Sequence, residues 1–307
     1  MTAPVDAAYR YRAYGCNIVS DIPFENLTEG ADPSRDTITI RRCDSLPDAP
    51  KDARAFGNFG MAGAQYLSLN IDGFVRFSAL NGNTLLYCPH ETATNGTLQV
   101  FLLGSGLGTI LAQRDFLVLH GNAVEIDGCG MVCVGPSGAG KSTTAAGLMQ
   151  RGFRVISDDV CAIDAQGQIV PGIPYFKLWQ DAASGLNIET TGLSRVHPQL
   201  EKYRVAMADA FCADPVDVRM IFVLARSGSQ DFTCETLTGH AKFTALRANT
   251  YRLEHVEGMG LAERHFQQLH RLSQRITVKR IGRPVSGFHL DQLLDFLLTQ
   301  ARSKATT

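Results

Sequence analysis

The stretch MVCVGPSGAGKST, residues 131–143, decides the fold of this chain. Gly135, Gly140, Lys141 and Ser142 match G-x-x-x-x-G-K-[ST], the pattern of a phosphate-binding loop. In such loops backbone N–H groups converge on the β-phosphate, the lysine reaches the β- and γ-oxygens, and the serine hydroxyl binds Mg²⁺. The motif therefore predicts a nucleoside triphosphate site, with ATP and Mg²⁺ as the bound species.

The residues on either side of the loop fit a strand and a helix. An apolar run, Met131–Val134, precedes the loop, and a helical pattern from about Lys141 to Arg151 follows it and stops at Gly152. This strand–loop–helix order predicts an α/β fold. We expect the following residues to contact the nucleotide: Gly135, Pro136, Ser137, Gly138, Ala139, Gly140, Lys141, Ser142 and Thr143.

Two adjacent carboxylates follow the next predicted strand, Phe153–Ser157. Asp158 and Asp159 stand at its carboxyl end, close enough in sequence to Ser142 for only one helix and one strand to intervene. A right-handed crossover would bring this strand beside the loop, where ligands of open α/β sheets bind. Because neighbouring strand residues face opposite ways, one carboxylate would serve the metal and the other an acceptor hydroxyl. Two solvated aspartates in a turn are the alternative.

A predicted β-hairpin places a histidine close to the phosphate loop. Asp127-Gly128 between apolar runs predicts a two-residue β-hairpin turn in which paired residue numbers sum to 255. His120 then lies opposite Gly135, the first residue of the loop. A histidine there can neutralise developing charge or contact the acceptor, although a purely structural strand histidine also fits.

The rest of the chain divides into two predicted regions. Residues 1–95 form a β-rich N-terminal region of short apolar runs between turn clusters, and residues 96–307 form the phosphate-loop domain. The runs are Tyr9–Val19, Thr37–Arg42, Tyr66–Ile71, Phe74–Leu80 and Thr84–Cys88. Helices are predicted over Leu98–Gln113, over residues 261–276 and over residues 290–297, and a buried strand over Arg219–Ala225.

Composition narrows the class of protein. The 307 residues are 45% apolar and 19% charged, as in ordinary globular proteins. The formal net charge is only −1, so the chain has no excess of positive charge that would indicate binding to nucleic acid or to an anionic membrane. The eight cysteines form no C-x-x-C pair, which favours reduced thiols. The first residues lack the apolar core of a signal peptide. We expect a cytoplasmic protein.

These motifs, taken as a set, resemble the catalytic domain of HPr kinase/phosphorylase. The shared residues are His120-Gly121, the hairpin, Gly135–Ser142, Arg151-Gly152 and Asp158-Asp159, over about 50 contiguous positions. The resemblance implies a mixed central sheet flanked by helices, and a kinase that transfers the γ-phosphoryl group of ATP to a serine of a peptide or protein.

The resemblance also implies roles for single residues. Asp158 would be the catalytic base, Asp159 and Ser142 would bind the metal, His120 would contact the active site, and Lys141 would act on the transferred phosphate. The two carboxylate roles could be exchanged, because sequence does not fix which side chain turns inward.

The chain departs from that family in two places. The stretch Glu189–Ser194 only echoes a family signature, with Thr191 where an arginine is expected, which favours a kinase without efficient phosphorylase activity. Tyr14-Gly15 and Ser20–Pro23 look more like the HPr-kinase-like proteins of lasso-peptide gene clusters, which phosphorylate a C-terminal serine of a precursor peptide. Segments 176–179 and 201–204 fit the same subgroup.

Two other functions stay open. A small-molecule kinase has the same phosphate loop, and so does a nucleotide-dependent regulator that transfers no phosphate. A GTPase would carry N-K-x-D and an ABC ATPase L-S-G-G-Q, and neither motif occurs in the sequence. Sequence leaves open the acceptor, the reverse reaction and whether the chain forms a homo-oligomer.

Overall fold

The computed structural model of the chain describes residues 9–57, 60–197, 199–227, 229–284 and 289–303. Two units are present. The first contains the chain up to Phe116 together with Arg252–His265, and the second contains Leu117–Tyr251 and the chain from Phe266 onward. The boundary expected between residues 95 and 96 stays a prediction.

The elements of the described residues are numbered in chain order. The strands are β1 Tyr9–Ala13, β2 Cys16–Ser20, β3 Thr28–Glu29, β4 Thr37–Arg42, β5 Arg54–Phe56, β6 Gly60–Gly63, β7 Tyr66–Ile71, β8 Val75–Leu80, β9 Thr84–Pro89, β10 Leu117–Ile126, β11 Cys129–Val134, β12 Val155–Ser157, β13 Val160–Ile163, β14 Gln168–Ile169, β15 Tyr175–Trp179, β16 Lys202–Ala206, β17 Val216–Arg226, β18 Thr233–Leu237 and β19 Thr277–Arg283. The α-helices are α1 Asn95–Phe101, α2 Leu107–Gln113, α3 Lys141–Gln150, α4 Gln180–Gly185, α5 Gly239–Ala248, α6 Leu253–Gly258, α7 Ala262–Arg275 and α8 Leu290–Arg302.

The first unit is built on one mixed sheet. Among the described residues its strand order is β3-β1-β2-β4-β9-β8-β7-β6-β5, with parallel pairing of β2 with β4 and of β4 with β9. Apolar alternation buries Ile38 and Ile40 of β4 while their neighbours stay accessible. The β-rich character expected of this region is confirmed, and the five predicted runs all contain strands.

The predicted helix over Leu98–Gln113 is present but is not a regular α-helix. A π-helical turn, Leu102–Gly106, lies between α1 and α2. The glycines of this segment explain the change, because they lower α-helical propensity and allow close packing. A Cβ on Gly106 would lie 2.7 Å from Cδ2 of Leu85 on β9. The segment therefore approaches the sheet more closely than a helix of larger residues could.

The second unit is a three-layer α/β structure. The phosphate-loop strand β11 pairs in parallel with β17, and β17 pairs in parallel with β19. One face of these strands packs with α3, α8 and the β15–β16 hairpin, and the other packs with α5 and α7. Because β11, β17 and β19 run the same way, their carboxyl ends share one edge of the sheet.

The predicted hairpin is confirmed in its register. Ile126 pairs with Cys129 and Gly121 with Val134, so the paired numbers sum to 255. Asp127 and Gly128 both have positive φ, at 49° and 78°, which a type I′ turn requires. The short loop fixes β10 against the phosphate-loop strand.

The helix after the loop ends as its sequence indicates. Gly152 has φ of 87°, its N–H donates to Met149 O at 2.9 Å, and Phe153 N–H donates to Leu148 O at 3.1 Å. These are the two hydrogen bonds of a Schellman motif with glycine at C′. The glycine directs the chain from α3 toward β12 and the two aspartates.

None of the helices within the described ranges combines the length and the apolar character needed to cross a bilayer.

Gly152→Ala should destabilise the second unit by about 1–2 kcal/mol, because an L side chain is strained at positive φ. No atom lies within 4 Å of the added Cβ, so the cost comes from the backbone alone. Gly152→Asn is the matched control and should lose less stability than Gly152→Ala, since asparagine tolerates this conformation. Urea unfolding followed by Trp179, the single tryptophan, measures the difference. Equal losses in both variants would contradict the assignment.

Candidate active site

The phosphate loop joins β11 to α3 with a backbone that requires glycine at three positions. Gly135, Gly138 and Gly140 have φ of 147°, 77° and 87°. A Cβ on Gly135 would lie 2.5 Å from the carbonyl oxygen of Leu224 on β17. The loop is thus pressed against the neighbouring strand, and its remaining backbone curves toward the start of α3.

Lys141 is bound by the loop itself. Its Nζ donates to the carbonyl oxygens of Gly135 and Pro136 at 2.9 and 3.2 Å. Burial lowers the pKa of Lys141, and the charges of Asp159 and Asp158 oppose that shift. The sequence-predicted phosphate lysine therefore lies inside the loop, close to both carboxylates.

The two aspartates interrupt one long strand. β12 and β13 both pair antiparallel with β10, with Ala123 opposite Ser157 and His120 opposite Val160. Asp158 and Asp159 occupy the break between them, and Asp159 has φ of 72°. This left-handed residue interrupts the strand, so the strand alternation from which opposite side-chain directions were expected does not extend through the pair. Both carboxylates reach the same lysine.

Asp158 faces the phosphate loop. Its Oδ1 accepts a hydrogen bond from the Ser142 hydroxyl at 2.8 Å, and its Oδ2 accepts one from the backbone N–H of Lys177 at 3.1 Å. Burial and the nearby charge of Asp159 raise the pKa of this carboxyl, and the two hydrogen bonds only partly offset them. Asp158 thus holds a proton more readily than an ordinary aspartate.

The pKa of Asp159 is shifted in the opposite direction from that of Asp158. Burial would raise the pKa of its carboxyl, but the ammonium of Lys177, whose Nζ lies 2.6 Å from Oδ2, and the contact with His120 hold it well below its usual range. The same ion pair raises the pKa of Lys177 against the effect of its own burial. Two adjacent carboxyl groups therefore have pKa values shifted in opposite directions, an arrangement typical of active sites.

His120 is placed beside Asp159, as its register predicted it would lie near the site. Its Nδ1 lies 3.2 Å from Oδ1 of Asp159 and 3.2 Å from the backbone oxygen of the same residue. The backbone N–H of His120 donates to Asn249 O at 2.8 Å, and its ring lies 5.7 Å from that of Tyr251. The strand pairing and this second contact fix the imidazole, which is about one-third exposed.

Two lysines of the site were missed by the sequence analysis. Lys177 lies on β15 and Lys202 on β16, where Trp179 is its register partner. The Lys202 ammonium lies 5.5 Å from the centre of the Trp179 ring, and burial lowers its pKa while Asp159 and Asp158 oppose the shift. The sequence of residues 175–179 and 202–206 does not indicate that these two strands pair with each other, or that they pack against the aspartates.

The charges of this cluster favour an anionic ligand. Lys141, Lys177 and Lys202 surround Asp158 and Asp159, so three positive charges meet two negative ones. An excess of one positive charge in a partly buried site suits the γ-phosphate of a nucleotide.

The residues present fit a magnesium ion. A hydroxyl oxygen of Ser142 and a carboxylate oxygen of Asp158 lie 2.8 Å apart, and hard oxygen ligands of this kind are those Mg²⁺ takes. Within the described ranges, no three His, Cys, Asp or Glu side chains lie close enough together to hold a metal ion by themselves. Mg²⁺ commonly uses one or two carboxylates together with substrate phosphates.

The comparison with protein families points to the same segment. Residues 110–174 match the family model described as HPr Serine kinase C-terminal domain. The matched stretch contains His120, the phosphate loop and both aspartates. Over this stretch the chain is similar to the HPr kinase C-terminal domain. Lys177 and Lys202 lie beyond the matched residues.

Curated relatives are similar to this chain over a segment of comparable length. The HPr kinase/phosphorylase of Chlorobium phaeobacteroides (strain BS1) is 36% identical over 87 residues, which cover 25% of this chain and 26% of the relative. That of Lactobacillus acidophilus is 46% identical over 69 residues, or 22% of this chain and 21% of the relative. The chain thus spans about a quarter of the length of these relatives. The solved Hpr(Ser) kinase/phosphatase of Coxiella burnetii covers 60% of this chain and 93% of its own, at 16% identity and a TM-score of 0.32.

Lys177→Met should destabilise the second unit by about 1–3 kcal/mol at pH 7, because it leaves the Asp159 carboxylate, a quarter exposed, without its cation. In the wild type the low pKa of Asp159 contributes stability above about pH 4, which is lost as pH falls through the folded-state value. In the variant burial raises that pKa, so the carboxyl takes up a proton on folding as pH falls. The deficit should therefore narrow toward pH 4.5.

Urea unfolding followed by Trp179 at pH 7 and pH 4.5 measures this deficit. The double variant Lys177→Met, Asp159→Asn is the matched control and should recover part of the loss at pH 7, since neither charge remains. A deficit that is the same at both pH values would contradict the ion-pair assignment.

Proposed function

We propose that this chain is an ATP-dependent kinase that transfers the γ-phosphoryl group to a serine hydroxyl of a peptide or protein. The observation that carries the proposal is the pair of aspartates at the strand break, one bonded to the phosphate-loop serine and the other to Lys177. A nucleotide sensor needs the first contact, but a second, half-buried carboxylate with its own lysine and histidine is suited to orienting an acceptor group.

The proposed donor site is the loop Gly135–Thr143. Its backbone N–H groups and the start of α3 bind the β-phosphate, and Lys141 leaves the carbonyls of Gly135 and Pro136 to contact the γ-phosphate. Ser142 and Asp158 hold Mg²⁺, which neutralises charge on the phosphate oxygens when it is bound. Lys177 and Lys202 supply further positive charge on the same side.

The contacts favour an exchange of the two carboxylate roles implied by the family resemblance. Asp158 accepts from Ser142, the proposed metal ligand, whereas Asp159 lies with His120 and Lys177. We therefore propose Asp158 at the metal and Asp159 as the group that orients the acceptor hydroxyl. The raised pKa of Asp158 supports the alternative, in which Asp158 is the base.

The acceptor is proposed from the relatives and from the chain's own residues. The relatives are named HPr kinase/phosphorylase, and HPr is a protein acceptor. The narrower proposal is the C-terminal serine of a lasso precursor peptide, for which the N-terminal region and the β15–β16 segments are the support. Peptides ending in serine, the same peptides ending in alanine, and an HPr protein are the three acceptors to compare.

Two rival functions predict different products. A small-molecule kinase would label a metabolite and leave every peptide unlabelled. A nucleotide-dependent regulator would bind or hydrolyse ATP and label nothing. Incubation with γ-labelled ATP, followed by separation of peptide, small-molecule and inorganic phosphate, distinguishes the three.

Lys141→Ala should abolish labelling of the acceptor, because the oriented cation near the γ-phosphate is lost. We expect a fall of roughly 10²–10³-fold in kcat/KM. Lys51→Ala, an exposed lysine of the first unit, is the control and should leave activity unchanged. An active Lys141→Ala enzyme would refute the donor site. The same assay supplied with phospho-acceptor and inorganic phosphate tests the proposal, based on Thr191, that the reverse reaction is inefficient.

Asp158→Asn and Asp159→Asn should both lower turnover by roughly 10²–10⁴-fold, but they should respond differently to magnesium. If Asp158 lies at the metal, raising Mg²⁺ should recover part of the activity of Asp158→Asn and little of Asp159→Asn. Titration of kcat against Mg²⁺ in both variants is the measurement. Recovery in Asp159→Asn alone would restore the roles given by the resemblance. Near-normal turnover in both would leave a nucleotide sensor as the better reading.

A further inference from the structure

A cleft of about 350 Å³ opens on one side of the phosphate loop. Gly138, Gly140 and Thr143 form its loop wall, and Arg226, Phe232 and Arg283 lie across from them. The cleft is within the size range of small-ligand sites. The acidic pair and Lys141 are not among the residues that line it, so it is a separate part of the surface around the loop.

Two arginines meet at this cleft without a carboxylate partner. Arg226 ends β17 and Arg283 ends β19, and the two are register partners on adjacent parallel strands. Across the described residues neither guanidinium lies in an ion pair, although both stand at the sheet edge where phosphates bind. Like charges placed side by side repel each other, and an anion bound between them would relieve that repulsion.

Arg283 is packed directly against the loop. A Cβ on Gly140 would lie 2.7 Å from its Nη1, so the guanidinium occupies the space that this glycine, with φ of 87°, leaves open. Its Nε is buried and has no hydrogen-bond partner among the described residues. Burial, and then the charge of Arg226, lower the pKa of Arg283. The guanidinium is therefore half-buried, poorly solvated and close to Gly140, the residue before α3.

The remainder of the cleft is apolar with one acid. Phe232 is held by stacking on Phe296, with ring centres 5.6 Å apart, and Leu290 and Leu293 of α8 lie beside it. The carboxylate of Asp181 also lines the cleft, where it accepts a hydrogen bond from Ala182 N–H at 2.8 Å. The two arginines would suit a polyphosphate, but the ring of Phe232 and the carboxylate of Asp181 would not contribute to binding one. Together these side chains match a planar base, a hydroxylated sugar and one phosphate group.

We infer that this cleft binds the nucleoside end of the nucleotide, with Phe232 against the base and with Arg283 and Arg226 on the phosphate nearest the sugar. The inference rests on the proposed function only in taking a nucleotide as the ligand of the loop. The new element is the side of the phosphate loop on which the nucleoside lies. The β- and γ-phosphates remain with the loop amides and Lys141.

The test compares ligands that contain the nucleoside with one that lacks it. Calorimetric titration of ADP and of tripolyphosphate, each with Mg²⁺, is carried out on the wild type, Arg283→Met, Arg226→Met and Phe232→Ala. Arg283→Met should weaken ADP binding roughly 10–100-fold, the usual range for a charged hydrogen bond, and change tripolyphosphate binding less than threefold. Phe232→Ala should show the same selectivity.

Arg280→Met is the matched control, because Arg280 lies on the same strand but pairs with Glu235 at 2.6 Å on the surface. It should bind both ligands as the wild type does. Arg283→Lys, which keeps the charge, should recover part of the ADP affinity and guards against a folding defect in the methionine variant. Thermal unfolding of each variant checks that the second unit is intact.

Three results would overturn the inference. The first is unchanged ADP binding in Arg283→Met and Phe232→Ala. The second is an equal loss for ADP and tripolyphosphate, which would place Arg283 at the terminal phosphates. The third is a wild type that binds neither ligand, which would remove the donor site as well. A wild type that binds ADP selectively but labels no acceptor would refute the kinase proposal and leave this subsite standing.

Discussion

The candidate active site depends on the conformation of one residue, Asp159. A strand that continued regularly through Asp158 and Asp159 would send one of the two carboxylates to the far face of the sheet. The left-handed backbone at Asp159, with φ of 72°, interrupts that alternation, and both carboxylates contact Lys177. Non-glycine residues adopt this conformation at a cost of about 1–3 kcal/mol, so the surroundings must hold it. The 2.6 Å ion pair with Lys177 and the contact with His120 provide that stabilisation.

This arrangement links the chemistry of the site to a distant part of the chain. Lys177 contacts both aspartates, one through its backbone N–H and the other through its ammonium. The β15–β16 hairpin that carries it is joined to the sheet by packing of Phe176 and Leu178 in the core beside α3. The positions of the two carboxylates are thus determined jointly by the strand break and by a hairpin outside the central sheet. Lys202 on the second strand of that hairpin adds the charge that makes the cluster net positive.

Much of the fold and part of the site could be predicted because their signals are local. Asp127-Gly128 fixes the hairpin register, and that register alone brings His120 to the site. Gly152 ends α3, and the glycines of the loop define the backbone around the phosphates. The contacts of Lys177 and Lys202 could not be read from sequence, because they depend on where a separate hairpin packs. The left-handed conformation of Asp159 was not expected, because aspartate adopts positive φ less often than glycine and no glycine follows Asp159 as one follows Asp127. The π-helical turn at Leu102–Gly106 lies inside the helix predicted over Leu98–Gln113 and was not expected either.

The contacts of Lys141 have a consequence for which anions the site accepts. Its ammonium is already satisfied by the carbonyl oxygens of Gly135 and Pro136, at 2.9 and 3.2 Å. A ligand must therefore displace these two internal acceptors, and the free energy of its own contact with Lys141 is reduced by that exchange. In the proposed donor site a β-phosphate would contact the loop amides and the ammonium together, and a γ-phosphate would add a second contact with the ammonium. A chain of two or three phosphates would therefore offset the exchange better than a single phosphate. The occupied lysine would act as an internal competitor, so that ligand length would matter as well as charge.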